Sequence, residues 1–201
     1  MKTESSVRTN RIVTLGILSA LGAVLMLVEI PYPLVPFLTF DLSDVVVLVI
    51  FMLYGWKEAS LVALLKVVVH LIIKGPVGPV AIGQISAFIA SMGYVGGMFV
   101  AIKVYHLNRY LAALIVAMVV TVLMVVANYL FITPIYMGGL TFLDVQDWVT
   151  LSTFGLEGSP SYLQTIIILY TPFNIIKGLL ITLSFFAIYE LLNRQRIVSF
   201  K

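Results

Sequence analysis

The stretches Val45–Leu53 and Leu111–Leu123 carry no charge and present no polar face, and this constrains the fold more than anything else in the chain. A transmembrane barrel strand alternates apolar and polar residues over segments of about ten, and these stretches do not alternate. Hydrocarbon offers the backbone no water, so each segment must satisfy its own amides and carbonyls, as a helix does. Hydrophobic residues make up 61% of the chain and charged residues 10%, against about 25% charged in a soluble domain. The expected fold is all-α, an integral membrane bundle of six transmembrane helices. Since about 20 apolar residues cross a bilayer core of about 30 Å, the 201 residues are expected to form a single transmembrane domain, 1–201.

Punctuation in the sequence sets the six spans. Ile12 to Ile30 stops at Pro31-Tyr32-Pro33, where two prolines remove backbone donors, and a short loop leads to Phe40. Asp41-Leu42-Ser43-Asp44 opens a second span to Tyr54, with Asp41 or Ser43 as a cap. Gly55-Trp56-Lys57-Glu58 reverses the chain into a third span, Ala59 to Ile73. Lys74-Gly75-Pro76-Val77-Gly78-Pro79 is too rich in Gly and Pro for helix. Span four, Val80 to Val104, is dense in small residues, which predicts close packing inside the bundle. Span five covers Tyr110 to Ile132. A long polar segment follows, Thr133 to Thr171, in which Tyr162 to Tyr170 is either a short interfacial helix or an early start of the last span. Pro172 is expected as the first residue of span six, where a missing amide costs nothing, and that span ends near Leu192.

Laid out this way, Lys2, Arg8, Arg11, Lys57, Lys103, Arg109, Arg194, Arg196 and Lys201 fall on one side and only Lys74 on the other. Cytoplasmic loops collect Lys and Arg, so both termini are expected in the cytoplasm and the two long connections outside. Asp41, Asp44, Asp144, Asp147 and Glu157 then lie on or near the outer face. Tyr32, Phe37, Phe40, Tyr136, Trp148 and Tyr162 are expected to form an outer aromatic belt, or in part a surface for stacking on a ligand. The basic start mimics a signal peptide, but five further spans follow and cleavage is not expected.

His70 and His106 are far apart, there is no cysteine, and no HExxH, GxSxG or Walker A pattern occurs. No catalytic residue, metal, cofactor or nucleic-acid partner is therefore expected, and any ATP-driven step belongs to another chain. The unusual residues are Lys66 and Lys177, since a lysine at a helix centre costs about 2.5–3.5 kcal/mol. Snorkelling, or a carboxylate from Asp41, Asp44 or Glu29, offsets this for Lys66. Lys177 follows Asn174 by three residues, so the two share a helix face, in the first two turns of span six. An amide beside a cation suits a neutral or anionic heterocycle better than a metal. Asn128 lies at similar depth and either joins that face or hydrogen-bonds between helices. Capping accounts for Asp41 and Asp44 without a function; a catalytic or proton-carrying role is the alternative.

Four stretches, Pro36–Asp44, Gly75–Pro79, Asn128–Tyr136 and Pro172–Gly178, resemble in order and over essentially the whole chain the riboflavin-specific substrate-binding (S) components of energy-coupling factor (ECF) transporters. Pro172-Phe173-Asn174-Ile175-Ile176-Lys177-Gly178 is the most specific of them. The resemblance implies a prokaryotic cytoplasmic-membrane protein, embedded in lipid, that captures riboflavin or its phosphate from outside as a transported ligand. It also implies dependence on a membrane coupling subunit and two ABC-type ATPase subunits. Ligand contacts are implied at Leu38 and Thr39 of the first loop, at Asn128, and at Asn174 and Lys177. A small-xxx-small docking face on the first helix is matched by Gly16 and Ala20, with Ala23 continuing it; Gly16 stands where the family usually has Ala. After the Gly-Pro loop the family leads one to expect an Asn, where this chain has Ile82, Gly83 and Gln84.

Two other classes compete with this reading. A stand-alone proton-coupled carrier of a small heterocyclic solute would use Lys66, Asp41 or Asp44; inverted repeats usually mark such carriers, and none is visible. An intramembrane enzyme acting on a lipid through the two aspartates would lack a second acidic motif.

Overall fold

The computed structural model describes residues 4–194. Lys2, Arg196 and Lys201, and the side chain of Arg8, on which part of the orientation argument rests, lie outside the described residues. The elements are α1 (Glu4–Leu27), a hairpin of β1 (Ile30–Tyr32) and β2 (Val35–Phe40), α2 (Ser43–Tyr54), α3 (Trp56–Lys74), α4 (Ile82–Met98), α5 (Arg109–Ala127) and α6 (Tyr162–Arg194). Thr9–Leu27, Pro79–Val104, Arg109–Tyr136 and Tyr162–Arg194 are long and apolar enough to cross a membrane. The 12 residues of α2 span about 18 Å, and α3 carries Lys57, Glu58, Lys66 and Lys74 along its length.

Three expectations change. The segment after α1 is an antiparallel hairpin, pairing Ile30 with Phe40 and Pro31 with Thr39, where the prolines suggested only a loop. Two strands alone are marginal. This pair is held by rings: Tyr32 and Phe40 pack on Phe173 of α6 at centroid distances of 5.3 and 4.8 Å.

Pro172 lies inside α6 and does not begin it. An interior proline costs about 3 kcal/mol or more, but Tyr162, Ile166, Leu169 and Tyr170 in the preceding turns are buried against Val145 and Val149 of the long connection. Each such burial contributes about 1.5–3 kcal/mol, so the helix starts early and runs through the proline. Lys177 consequently stands about four turns from the helix start, not within the first two.

The aromatic residues form packed clusters more than a belt. Tyr129 stacks on Phe142 and Tyr162, at 5.1 and 5.2 Å, tying the long connection to α5 and α6. Of the six aromatic residues expected in the belt, Trp148 is exposed.

The small residues of α4 do pack closely: a Cβ on Gly97 would lie 3.1 Å from the Val116 Cα of α5. The bundle is tightest between α5 and α6, where a Cβ on Gly178 would come within 2.7 Å of the Ala117 Cα. Arg11 pairs with Glu58, and Arg109 with Glu190 at 3.0 Å, at one end of the bundle. Lys74 pairs with Glu29 at the end that carries the hairpin.

Candidate ligand-binding site

The site grows from the start of α2, where two carboxylates receive Lys66 of α3 and Lys177 of α6. The Lys66 ammonium donates to Asp44 Oδ1 at 2.6 Å and to Ser43 Oγ at 2.8 Å, and the Ser91 hydroxyl donates to the same Asp44 oxygen at 2.5 Å. Lys66, Asp44, Ser43 and Ser91 are all buried. Lys66 is thus fully paired, by one of the carboxylates its sequence context offered.

Lys177 donates to Asp41 Oδ2 at 2.7 Å and to the Thr39 carbonyl at 2.9 Å. It therefore fastens the end of the hairpin to α6. Asp41 also accepts the Ser43 amide at 2.9 Å, in the turn that leads into α2; the N-cap position is held by Leu42, with no side-chain cap, so the two aspartates act as counter-ions where the sequence suggested caps.

Leu38, Thr39, Asn128, Asn174 and Lys177 line one cavity. Its enclosed space is about 100 Å³, below the roughly 300–1,000 Å³ common for small-molecule pockets. Asn128 begins a π-helical turn, Asn128–Ile132, that carries α5 on to Tyr136. Its amide N–H donates to the Met124 carbonyl at 2.8 Å, within its own helix, while its side-chain oxygen accepts from the Thr133 hydroxyl at 3.3 Å. Thr133 in turn meets the Tyr170 hydroxyl at 2.7 Å, and the Tyr162 hydroxyl donates to the Tyr129 carbonyl at 3.1 Å, so Asn128 belongs to the network that joins α5 to α6. Asn174 likewise donates one N–H to the Tyr170 carbonyl at 2.8 Å. That leaves its second N–H and its carbonyl oxygen unused by the described residues.

Phe37 and Tyr136, two of the rings expected in the belt or in a stacking surface, stack on each other at 4.7 Å and line the cavity. Phe173, Glu29 and His70 line it too and were not anticipated there. From α4 come Gly83, Ala87, Ala90 and Tyr94, spaced three or four apart, a pattern legible in the sequence as a small-residue face. Gln84 is turned elsewhere: its carbonyl accepts the Val77 amide at 3.0 Å and its amide donates to the Gly75 carbonyl at 2.8 Å. It holds the Gly-Pro loop, and Gly83 takes the place on the cavity wall.

On α1, Gly16 and Ala20 are exposed and a Cβ on Gly16 would meet nothing within 4 Å. Ala23 is fully buried. It faces the bundle with Ser19 and Met26, so the exposed face continues through Leu21 and Val24 instead. Among the described residues no group of three His, Cys, Asp or Glu side chains comes together to hold a metal.

A family model for the substrate-specific component of ECF transporters matches residues 10–189. The chain is 31% identical over 186 residues to the riboflavin transporter FmnP of Bacillus subtilis, covering 90% of this chain and 91% of that one. It is 29% identical over 192 residues to the riboflavin transporter RibU of Staphylococcus aureus, covering 91% and 90%. Its fold is similar to a solved S component of a bacterial ECF transporter, with a TM-score of 0.70, 25% identity and coverage of 93% of this chain and 97% of that one.

Proposed function

Because the chain belongs to the family of ECF transporter substrate-specific components, we propose that it is a riboflavin-capturing membrane subunit, with Leu38, Thr39, Asn128, Asn174 and Lys177 as its ligand contacts. The relatives named as riboflavin transporters support the choice of ligand. The observation that carries the site assignment is that two amides and an ammonium share one cavity with Phe37, Tyr136 and Phe173. An isoalloxazine needs apolar surfaces for its faces and a few donors and acceptors for its imide edge, and this wall supplies both.

Delivery inward then depends on a membrane coupling subunit and two ATPase subunits. Gly16 and Ala20 form the flat part of the docking face, where a partner helix approaches closely. The end bearing Arg11, Arg109 and Arg194 faces the cytoplasm, together with both termini, in keeping with the positive-inside rule. The hairpin and the cavity face outward. Family membership favours this reading over the self-sufficient carrier and the lipid enzyme.

The purified protein is expected to be yellow and to bind riboflavin one to one, with quenched flavin fluorescence and no need for ATP or an ion gradient. Asn174→Leu and Lys177→Leu each weaken capture by about five- to hundredfold, from loss of a buried hydrogen-bond partner. Undiminished binding by the Asn174→Leu/Lys177→Leu double variant would overturn the site.

A further inference from the structure

His70 is buried and lines the cavity, and its Nε2 has no hydrogen-bond partner among the described residues. An orphaned polar atom in a buried side chain costs free energy unless something satisfies it. Glu29 Oε1 stands 3.8 Å away, too far for a hydrogen bond. Glu29 also lines the cavity, and its other carboxylate oxygen accepts from Lys74.

The protonation of His70 is fixed by its neighbour. Gln84 has its carbonyl on the Val77 amide and its NH₂ on the Gly75 carbonyl. A flipped amide would set donor against donor and acceptor against acceptor, so only one orientation fits. The second N–H of that NH₂ lies 3.3 Å from His70 Nδ1. Nδ1 is therefore the acceptor, and the imidazole proton sits on Nε2.

Together these put an N–H donor and a carboxylate acceptor side by side, on α3 and just beyond α1, while the amides stand on α5 and α6. A hydroxyl group placed between them accepts from His70 and donates to Glu29. A carbonyl or carboxylate satisfies only the first of these, and an ammonium only the second. We infer that His70 and Glu29 form a polyol subsite that receives the hydroxylated side chain of the ligand, separate from the amide and lysine groups that take its ring edge. This rests on the flavin reading above and names which wall meets which part of the ligand.

The chain has two histidines, so wild-type protein with ¹⁵N-labelled histidine gives two imidazole signal sets, with the exposed His106 as the internal reference. His70 is expected to show a protonated Nε2 and a bare Nδ1. Riboflavin should shift its Nε2–H signal, whereas lumiflavin, which has the ring without the polyol, should not. In parallel, the preference for riboflavin over lumiflavin should fall by about five- to hundredfold in His70→Phe and in Glu29→Gln. A proton on Nδ1, equal shifts with both flavins, or an unchanged preference in both variants would overturn the subsite alone. A wild type that binds neither flavin would overturn the flavin reading and the subsite with it.

Discussion

Replacing Lys66 with Met should cost far more stability than replacing both Lys66 and Asp44. The Lys66 and Asp44 side chains are 1% and 3% exposed, and their charged atoms are 2.6 Å apart. Removing one partner of such a pair leaves an uncompensated buried charge, worth about 3–5 kcal/mol. At about 1.4 kcal/mol per decade, that is two to three and a half decades in the folding equilibrium. Asp44→Asn should cost a similar amount, because the ammonium is then the stranded group. In Lys66→Met/Asp44→Leu neither charge of this pair is left behind without its partner, and the Lys177–Asp41 pair stays in place. The Ser91 hydroxyl then turns to the Ala87 carbonyl, 2.8 Å away, so the residual cost is mainly Ser43 losing a donor, about 1–2 kcal/mol. Denaturant unfolding in detergent, followed by circular dichroism, measures the full cycle, and a riboflavin titration accompanies it. Neither residue lines the cavity, so the double variant should keep its affinity for riboflavin within a few-fold of wild type. Additive single effects, or an unchanged unfolding midpoint in Lys66→Met, would refute the view that this pair is structural.

Gly178→Ala should lower the thermal midpoint, since its Cβ would stand 2.7 Å from the Ala117 Cα and parting two helices costs about 1–3 kcal/mol; Gly16→Ala, with open space around it, should leave the midpoint unchanged or slightly raised. Gly16→Phe and Ala20→Phe should bind riboflavin as wild type does in detergent yet abolish uptake in cells carrying the coupling module. Asp144 accepts the Thr141 and Leu140 amides, which hold its carboxyl below the ordinary value. Its contribution to the turn is therefore present above the ordinary carboxylate range and lost as pH falls through the lowered value. Trp148, whose indole donates to the Asp144 carbonyl at 3.1 Å, should report this as an acid fluorescence transition that is absent in Asp144→Asn.

What the sequence made legible was local, and what it hid depends on residues far apart in the chain. The apolar runs, the turn at Gly55 and the shared face of Asn174 and Lys177 follow from helical period and chain breakers, and all are present. The hairpin was hidden because Pro31 and Pro33 argue against a strand, and what favours it, Phe173, lies more than 130 residues away. The same distance conceals the pairing of Lys177 with Asp41. Charge composition shows that a buried lysine needs a partner; only the folded bundle shows which carboxylate it takes.

Pro172 brings these two kinds of information into direct conflict. Read locally, it begins a helix, because its missing amide is harmless only there. Read against Val145, Val149 and the ring cluster around Tyr162, the ten residues before it gain more from burial as helix than the lost hydrogen bond costs. The early start has a consequence for the site. The turns before Pro172 carry Tyr170, whose hydroxyl meets Thr133 and whose carbonyl receives Asn174. A helix beginning at Pro172 would leave both without their partner on α6. The proline is thus kept inside the helix by the same packing that orients the amide on the cavity wall, and a helix-breaking substitution such as Ile166→Pro should loosen riboflavin capture without touching a single lining residue.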